Sequence, residues 1–327
     1  MPSTVSFHEI SSQHLPSPVP YAVLRPAREE PLPLCVLLLG AGGTRDSLLD
    51  LQELFDTSWV EGSAPPMIIV TPTPGLDYYL EDHSGPIRWD SFLAADFIPH
   101  LRSTYNSSDA VIAGISGGGY GALKLAFQRP GLFAGVAAMQ PMLEPGLHES
   151  DVGPRNRLHH SSGGPPQLVG SARDPLVWES NNPANLARAN AQQIRDAGLA
   201  IYIDAADQDF LNAHDGAEFL HRVLWDLDLS HDYHLFRNAD HGGPTMRPRL
   251  RAMFAWLGTL WNPILPDAAA EQSATGWLQS GMKGKPPAGA TATKAFLHFL
   301  RARFEPIRAS AANEDPTTNR RFGLFGG

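Results

Sequence analysis

Short, almost unbroken apolar runs punctuate the chain, and between them apolar residues recur every three to four positions. The runs fall at residues 34–39, 67–71, 110–113, 135–139, 199–204 and 232–237. Strands this apolar are expected to be buried on both faces, as in a mostly parallel sheet covered by helices. A further run, "YAVLRP" near residue 21, predicts an earlier antiparallel edge strand. The segment "SFLAADFIPHLRSTY" spaces Phe92, Ala95, Phe97, Ile98 and Leu101 along one helical face. "AEFLHRVLWDL" does the same with Phe219, Leu220, Val223, Leu224 and Leu227, and "RPRLRAMFAWLGTLW" forms a third such pattern. Strand and helix patterns in alternation define the α/β class, with helices on both faces of the sheet.

The texture changes at three places. Residues 1–19 read as an N-terminal arm, 20–262 as the α/β domain and 263–327 as a C-terminal extension. The extension holds one amphipathic pattern, "KAFLHFLRARF" with Phe296, Phe299, Leu300 and Phe304, and then a polar tail expected to be mobile. Inside the domain, 143–183 is rich in Pro, Gly and Ser and weakly periodic, a loop-rich insertion read equally as a surface loop or a lid.

Composition narrows the partners. With 34 acidic against 25 basic residues the net charge is −9, which argues against a nucleic-acid surface. The one cysteine, Cys35, sits in an apolar run, so disulfides within the chain and four-cysteine zinc sites are excluded. The start of the chain lacks a basic segment followed by an apolar one, and no run is long enough to span a bilayer. A cytoplasmic protein is the expectation, with homo-oligomerisation left open.

The chemistry concentrates at "AVIAGISGGGYGAL". Gly114-Ile115-Ser116-Gly117-Gly118 is a G-x-S-x-G match lying between a strand and a helix. Such a turn lifts a serine hydroxyl above the sheet edge, while glycines two residues either side relieve crowding. A phosphate-binding loop fits less well, since the spacing matches neither common glycine-rich fingerprint. A serine nucleophile needs a base and an orienting acid, expected in the order Ser, acid, His after later strand ends. "NADHGGPTM" supplies His241 after the last strand, and "AADQDFL" supplies Asp209, with Asp207 the alternative acid and Asp204 read as ending its strand. For the oxyanion, Gly117 offers one N–H, and Gly42 in "LLLGAGGTRDSL" is the candidate second donor. Paired histidines (His159 with His160, His231 with His234) lack companion ligands at metal spacing. Tyr78, Tyr79 and Trp89 before the elbow, and Met142 beyond the strand after it, are candidate substrate-facing residues.

These pieces resemble the esterase D-like family of α/β-hydrolases, which includes S-formylglutathione hydrolases, feruloyl and acetylxylan esterases, enterochelin esterases and antigen 85 mycolyltransferases. The matching stretches are "LLLGAGG", "PPMIIVTP", "WDSFLAADFIPHLRSTYN", "AGISGGGYGALKLAFQRPGLFAGVAAMQP", "NNPANL", "IYIDAADQDFL" and "ADHGGPTM". The chain departs from many relatives in reading Gly40-Ala41 where they carry His-Gly, and Ala205-Ala206 where glycine is usual, which keeps Asp207 open. The resemblance implies an α/β-hydrolase fold, no cofactor, and cleavage of a small ester or thioester through an acyl-enzyme on Ser116, with His241 as base and Asp209 orienting it. An oxyester hydrolase is the expected reaction. A thioesterase of the S-formylglutathione hydrolase type and an acyltransferase of the antigen 85 type are the alternatives. A non-catalytic binding protein on the same fold is disfavoured by the intact Ser, acid and His.

Overall fold

The structure is a computed structural model that describes residues 2–28, 30–75, 79–81, 85–107, 109–156 and 175–261. The chain divides into two units, Met1–Asn262 and Pro263–Gly327, and the described residues all belong to the first. The helix expected at 294–304 and the His159-His160 pair lie outside the described residues.

Eight strands form one sheet: β1 (Ser3–Ile10), β2 (Val19–Pro26), β3 (Leu34–Leu38), β4 (Ile68–Pro72), β5 (Ala110–Ile115), β6 (Gly135–Met139), β7 (Ala200–Ala206) and β8 (Asp232–Phe236). Their order across the sheet is β1-β2-β4-β3-β5-β6-β7-β8. The first two strands are antiparallel to their neighbours and the rest run parallel. The stretch expected as an arm therefore supplies the edge strand β1, and "YAVLRP" lies one strand in from the edge. The reason is visible in the burial: no position of β1 is fully buried, with Val5 packed against one core and Ile10 against the other, so the strand lacks an apolar run.

Every residue of β3, β4, β5 and β6 is buried. Successive side chains point to opposite faces, so the apolar runs feed two separate cores. Leu34, Val36 and Leu38 join one, whereas Cys35, Leu37 and Leu39 join the other. The first core is closed by α2 (Trp89–Ser91), α3 (Ile98–Tyr105), α4 (Gly117–Gln128), α6 (Pro183–Ala189) and α8 (Ala213–Asp226). Between α6 and α8 runs α7 (Ala191–Ala197), and α5 (Pro175–Asn181) precedes α6. The second core is closed by α1 (Ser47–Glu61) and α9 (Met246–Gly258). Edge strand β8 alone among the parallel strands has no fully buried position, which is why its pattern is the least apolar.

The helix expected from "SFLAADFIPHLRSTY" is continuous but widens to a π-helix over Phe92–Phe97, where the Ile98 N–H bonds to Leu93 O five residues back. Pro99 is the physical cause: it has no N–H to offer Ala95 and its ring crowds that carbonyl. No helix among the described residues is long and apolar enough to cross a membrane.

Candidate active site

The parallel strands point their C-terminal ends at one edge of the sheet, and the loops leaving β3, β5, β6, β7 and β8 meet there. At the end of β5 the chain turns sharply into α4, with Ser116 held at φ 57°, ψ −121°. A non-glycine residue in this region costs of order 1–3 kcal/mol and persists only where its surroundings force it. The forcing is steric. A Cβ on Gly114 would lie 2.1 Å from Gly118 O, and one on Gly118 would lie 2.0 Å from Leu38 O. The elbow is thus pressed against its own helix and against β3. The Ser116 N–H bonds to Met139 O at 3.0 Å, and Ser116 O accepts from the Tyr120 and Met142 N–H groups.

Ser116, His241 and Asp209 come together. His241 Nε2 is 2.9 Å from Ser116 Oγ, and His241 Nδ1 is 2.7 Å from Asp209 Oδ2. Asp209 is buried, and its other oxygen accepts from the Leu211 N–H at 2.8 Å. An ionised carboxylate can only accept, so Nδ1 carries the proton and Nε2 presents its lone pair to the serine hydroxyl. Asp207 is directed elsewhere: it pairs with Arg237 at 3.2 Å and accepts from the Ala239 N–H. Asp204, read as ending its strand, lies inside β7.

The loop after β3 makes a tight turn beside the serine. Gly43 N–H bonds to Gly40 O at 3.0 Å, and Gly42 has φ +76°, the pattern of a type II turn. A Cβ on Gly40 would stand 2.8 Å from Ser116 Cβ and 3.3 Å from Oγ, so the backbone approaches the hydroxyl at Gly40, whereas a Cβ on Gly42 would meet open space. The turn's N–H groups at Ala41 and Gly42 have no backbone partner among the described residues. Gly117 begins α4, where the first N–H groups have no helical partner.

The aromatic candidates fall differently. Tyr79 and Trp89 are buried in the core and pack edge to face at 5.2 Å. Tyr79 Oη accepts from the Leu39 N–H at 3.0 Å, so it braces the end of β3 and does not face an open site. Tyr78 lies outside the described residues. Met142 is half-buried, and its N–H is the one bonded to Ser116 O. Sequence reasoning missed Phe210: it is 71% exposed, and its ring sits 6.0 Å from the His241 ring at 76°. A large apolar side chain standing in water beside the histidine was signalled only by its place after Asp209.

Lys124 was also missed. Fully buried on α4, it pairs with Asp90 at 3.1 Å and donates to Tyr79 O and Asn181 Oδ1. It ties the loop before α2 and the end of α5 to the elbow helix. Glu144 lies buried two residues beyond Met142, and its Oε2 has no hydrogen-bond partner among the described residues. Burial pushes its carboxyl up to about 7. The folded chain then holds this proton more tightly than the unfolded chain, so stability falls as pH rises from the ordinary glutamate value to 7, by roughly 3 kcal/mol. Glu144→Gln removes that loss. Urea unfolding should show the variant more stable than wild type at pH 8 and nearly equal to it at pH 4.

The strand order and the strained serine turn define an α/β-hydrolase. The family model described as "Putative esterase" matches residues 12–257, and the chain belongs to this esterase family. Among solved structures, a ferulic acid esterase is 21% identical, with a TM-score of 0.63, covering 80% of this chain and 100% of its own. An S-formylglutathione hydrolase from Agrobacterium tumefaciens is 17% identical, with a TM-score of 0.58 and coverage of 78% and 96%. The fluorophosphonate-binding serine hydrolase F of Staphylococcus aureus is 15% identical, with a TM-score of 0.62 and coverage of 79% and 99%. Comparison with curated proteins finds no match.

Proposed function

We propose that the chain hydrolyses small carboxylic esters through an acyl-enzyme on Ser116, with His241 as general base and Asp209 orienting it. The observation that carries this reading is the unbroken pair of hydrogen bonds from Asp209 through His241 to Ser116 Oγ. As Oγ bonds to the substrate carbonyl carbon, its proton passes to His241 Nε2, and the imidazolium that forms lies against the buried Asp209 carboxylate. The tetrahedral intermediate then expels the alcohol, which takes the proton from Nε2. Water repeats the sequence on the acyl-enzyme and releases the acid. The apolar ring of Phe210 beside His241 suits an apolar group on the substrate.

Hydrolysis of nitrophenyl esters of graded chain length tests the reading. Turnover that disappears with Ser116→Ala supports it, and undiminished turnover in that variant contradicts it.

Charge on the carbonyl oxygen needs two preorganised donors. Gly117 N–H is one. The second is assigned to Ala41 in place of Gly42, because the loop makes its closest approach to Ser116 at the adjoining Gly40. Ala41→Pro distinguishes the two. Proline is favoured at the second position of a type II turn, so the loop keeps its shape while the Ala41 N–H is lost. The expected result is a drop in kcat of about 10²- to 10³-fold, as for loss of one oxyanion donor. An unchanged kcat in a folded variant returns the role to Gly42.

A further inference from the structure

Beneath the loop that carries His241 lies a buried polar chain that the reaction itself does not use. Its members are Asp204 in β7, Arg249 on α9 and Gln140 just beyond β6, each no more than 1% exposed. Arg249 Nε donates to Asp204 Oδ1 at 3.2 Å, and Nη2 donates to the same oxygen. The other oxygen of Asp204 accepts from Tyr202 Oη at 3.3 Å. Arg249 Nη1 divides between Gln140 Oε1, at 2.6 Å, and the backbone carbonyl of Asp240, at 3.2 Å. Gln140 in turn donates from Nε2 to the carbonyl of His241. Its own backbone sits at φ 41°, with its N–H on Asp204 O.

The chain therefore ends on two consecutive carbonyls, those of Asp240 and His241. On the outer side of the same loop the Asp240 carboxylate accepts from the N–H groups of His241 and Phe210, at 2.6 Å and 3.0 Å. The histidine backbone is held from below by amide and guanidinium donors and from above by a carboxylate acceptor. Further back the segment is tied to the loop after β7 by Gln208 N–H to Ala239 O at 2.9 Å and by Ala239 N–H to Asp207 Oδ1 at 3.3 Å, whereas Gly242 and Gly243 follow the ring directly.

A buried ion pair is a weak stability device, because desolvating both ions consumes most of what their attraction returns. Fixed geometry is what this one supplies. We propose that Gln140, backed by Arg249 and Asp204, is a positioning residue that sets the His241 backbone so that its ring reaches Ser116 and Asp209 together. The proposal rests on the reading of His241 as the base. The ring must satisfy a 2.9 Å and a 2.7 Å bond at once, and a misplacement of about 1 Å can cost about a hundred-fold in rate.

Gln140→Met tests it, since methionine matches glutamine in length but neither donates nor accepts as the amide does. The expected result is a fall in kcat of about ten- to a hundred-fold with KM within about two-fold. The deciding readout is the same substitution in a His241→Ala chain, assayed on residual nitrophenyl-ester hydrolysis. A residue that acts through the imidazole has no further effect once the imidazole is gone. Equal losses in both backgrounds, or no loss in either, overturn the proposal and leave the chain a structural feature. Should Gln140→Met not fold, Arg249→Lys takes its place in the cycle: it keeps a cation beside Asp204 while losing the fork that reaches Gln140 and the Asp240 carbonyl. If His241→Ala itself turns over at the wild-type rate, the base assignment falls, and the proposal falls with it.

Discussion

Ser116→Ala is expected to lower kcat for nitrophenyl esters by about 10⁴- to 10⁶-fold while leaving the chain folded. In the proposed mechanism Oγ is the atom that bonds to the acyl carbon, and alanine offers nothing in its place. The fold survives for a local reason. Positive φ at residue 116 is imposed by Gly114, Gly118 and Leu38, and a methyl group fits where the serine Cβ already sits. Removing a half-buried hydroxyl leaves the Ser116 backbone bonds to Met139, Tyr120 and Met142 intact. Circular dichroism and thermal melting of the variant should overlay those of the wild type within a few degrees. The residual rate reports what the oxyanion donors achieve alone.

Asp209→Asn gives the second large effect, a fall in kcat of about 10⁴-fold. An asparagine amide facing Nδ1 favours the tautomer that carries its proton on Nε2, and a protonated Nε2 cannot accept the serine proton. The imidazolium also loses its buried counter-charge. Asp207→Asn is the control that separates the two acids of the loop. It breaks an ion pair with Arg237, whose side chain is 78% exposed, and exposed pairs contribute little. Its kcat should stay within about three-fold of wild type. Steady-state kinetics on the two variants decide the assignment. A reversal, with Asp207→Asn inactive and Asp209→Asn active, would transfer the role to Asp207.

What could be read from the sequence was what short-range sterics and periodicity impose. The turn at Ser116 needs small residues at fixed offsets, so five letters between a strand and a helix announce it. The six apolar runs became β3 to β8: those of β3 to β7 were legible because a strand buried on both faces tolerates few polar residues, whereas β8 has no fully buried position and gave the weakest run. That His241 and Asp209 come together beside Ser116 was legible through chain order and position after strands, which the parallel topology dictates. Strand β1 was not: its "STVSFHEI" half-buries Ser3, Val5, His8 and Ile10 and buries no position fully, and such a mixed pattern carries a weaker signal than a buried run.

Pairings distant in sequence were the other blind spot. Tyr79 looked like a substrate-facing aromatic because it sits in a loop before the elbow helix. Its place in the core depends on Lys124 and Leu39, which are 45 and 40 residues away. Asp204 and Arg249 are likewise separated by 45 positions, and Gln140 and His241 by 101. Nothing in a one-dimensional pattern marks a buried arginine on an amphipathic helix as the partner of one strand carboxylate. The two candidate acids differ in direction: both leave the same strand end, and only Asp209 turns toward His241, while Asp207 pairs with Arg237.

The most direct test of the central claim is intact-mass and peptide-mass analysis after reaction with a fluorophosphonate, a probe that phosphonylates an activated serine. One adduct per chain, mapped to the peptide containing Ser116 and absent from Ser116→Ala, is the predicted result. An unlabelled wild-type chain, or an adduct that persists in Ser116→Ala, would contradict it.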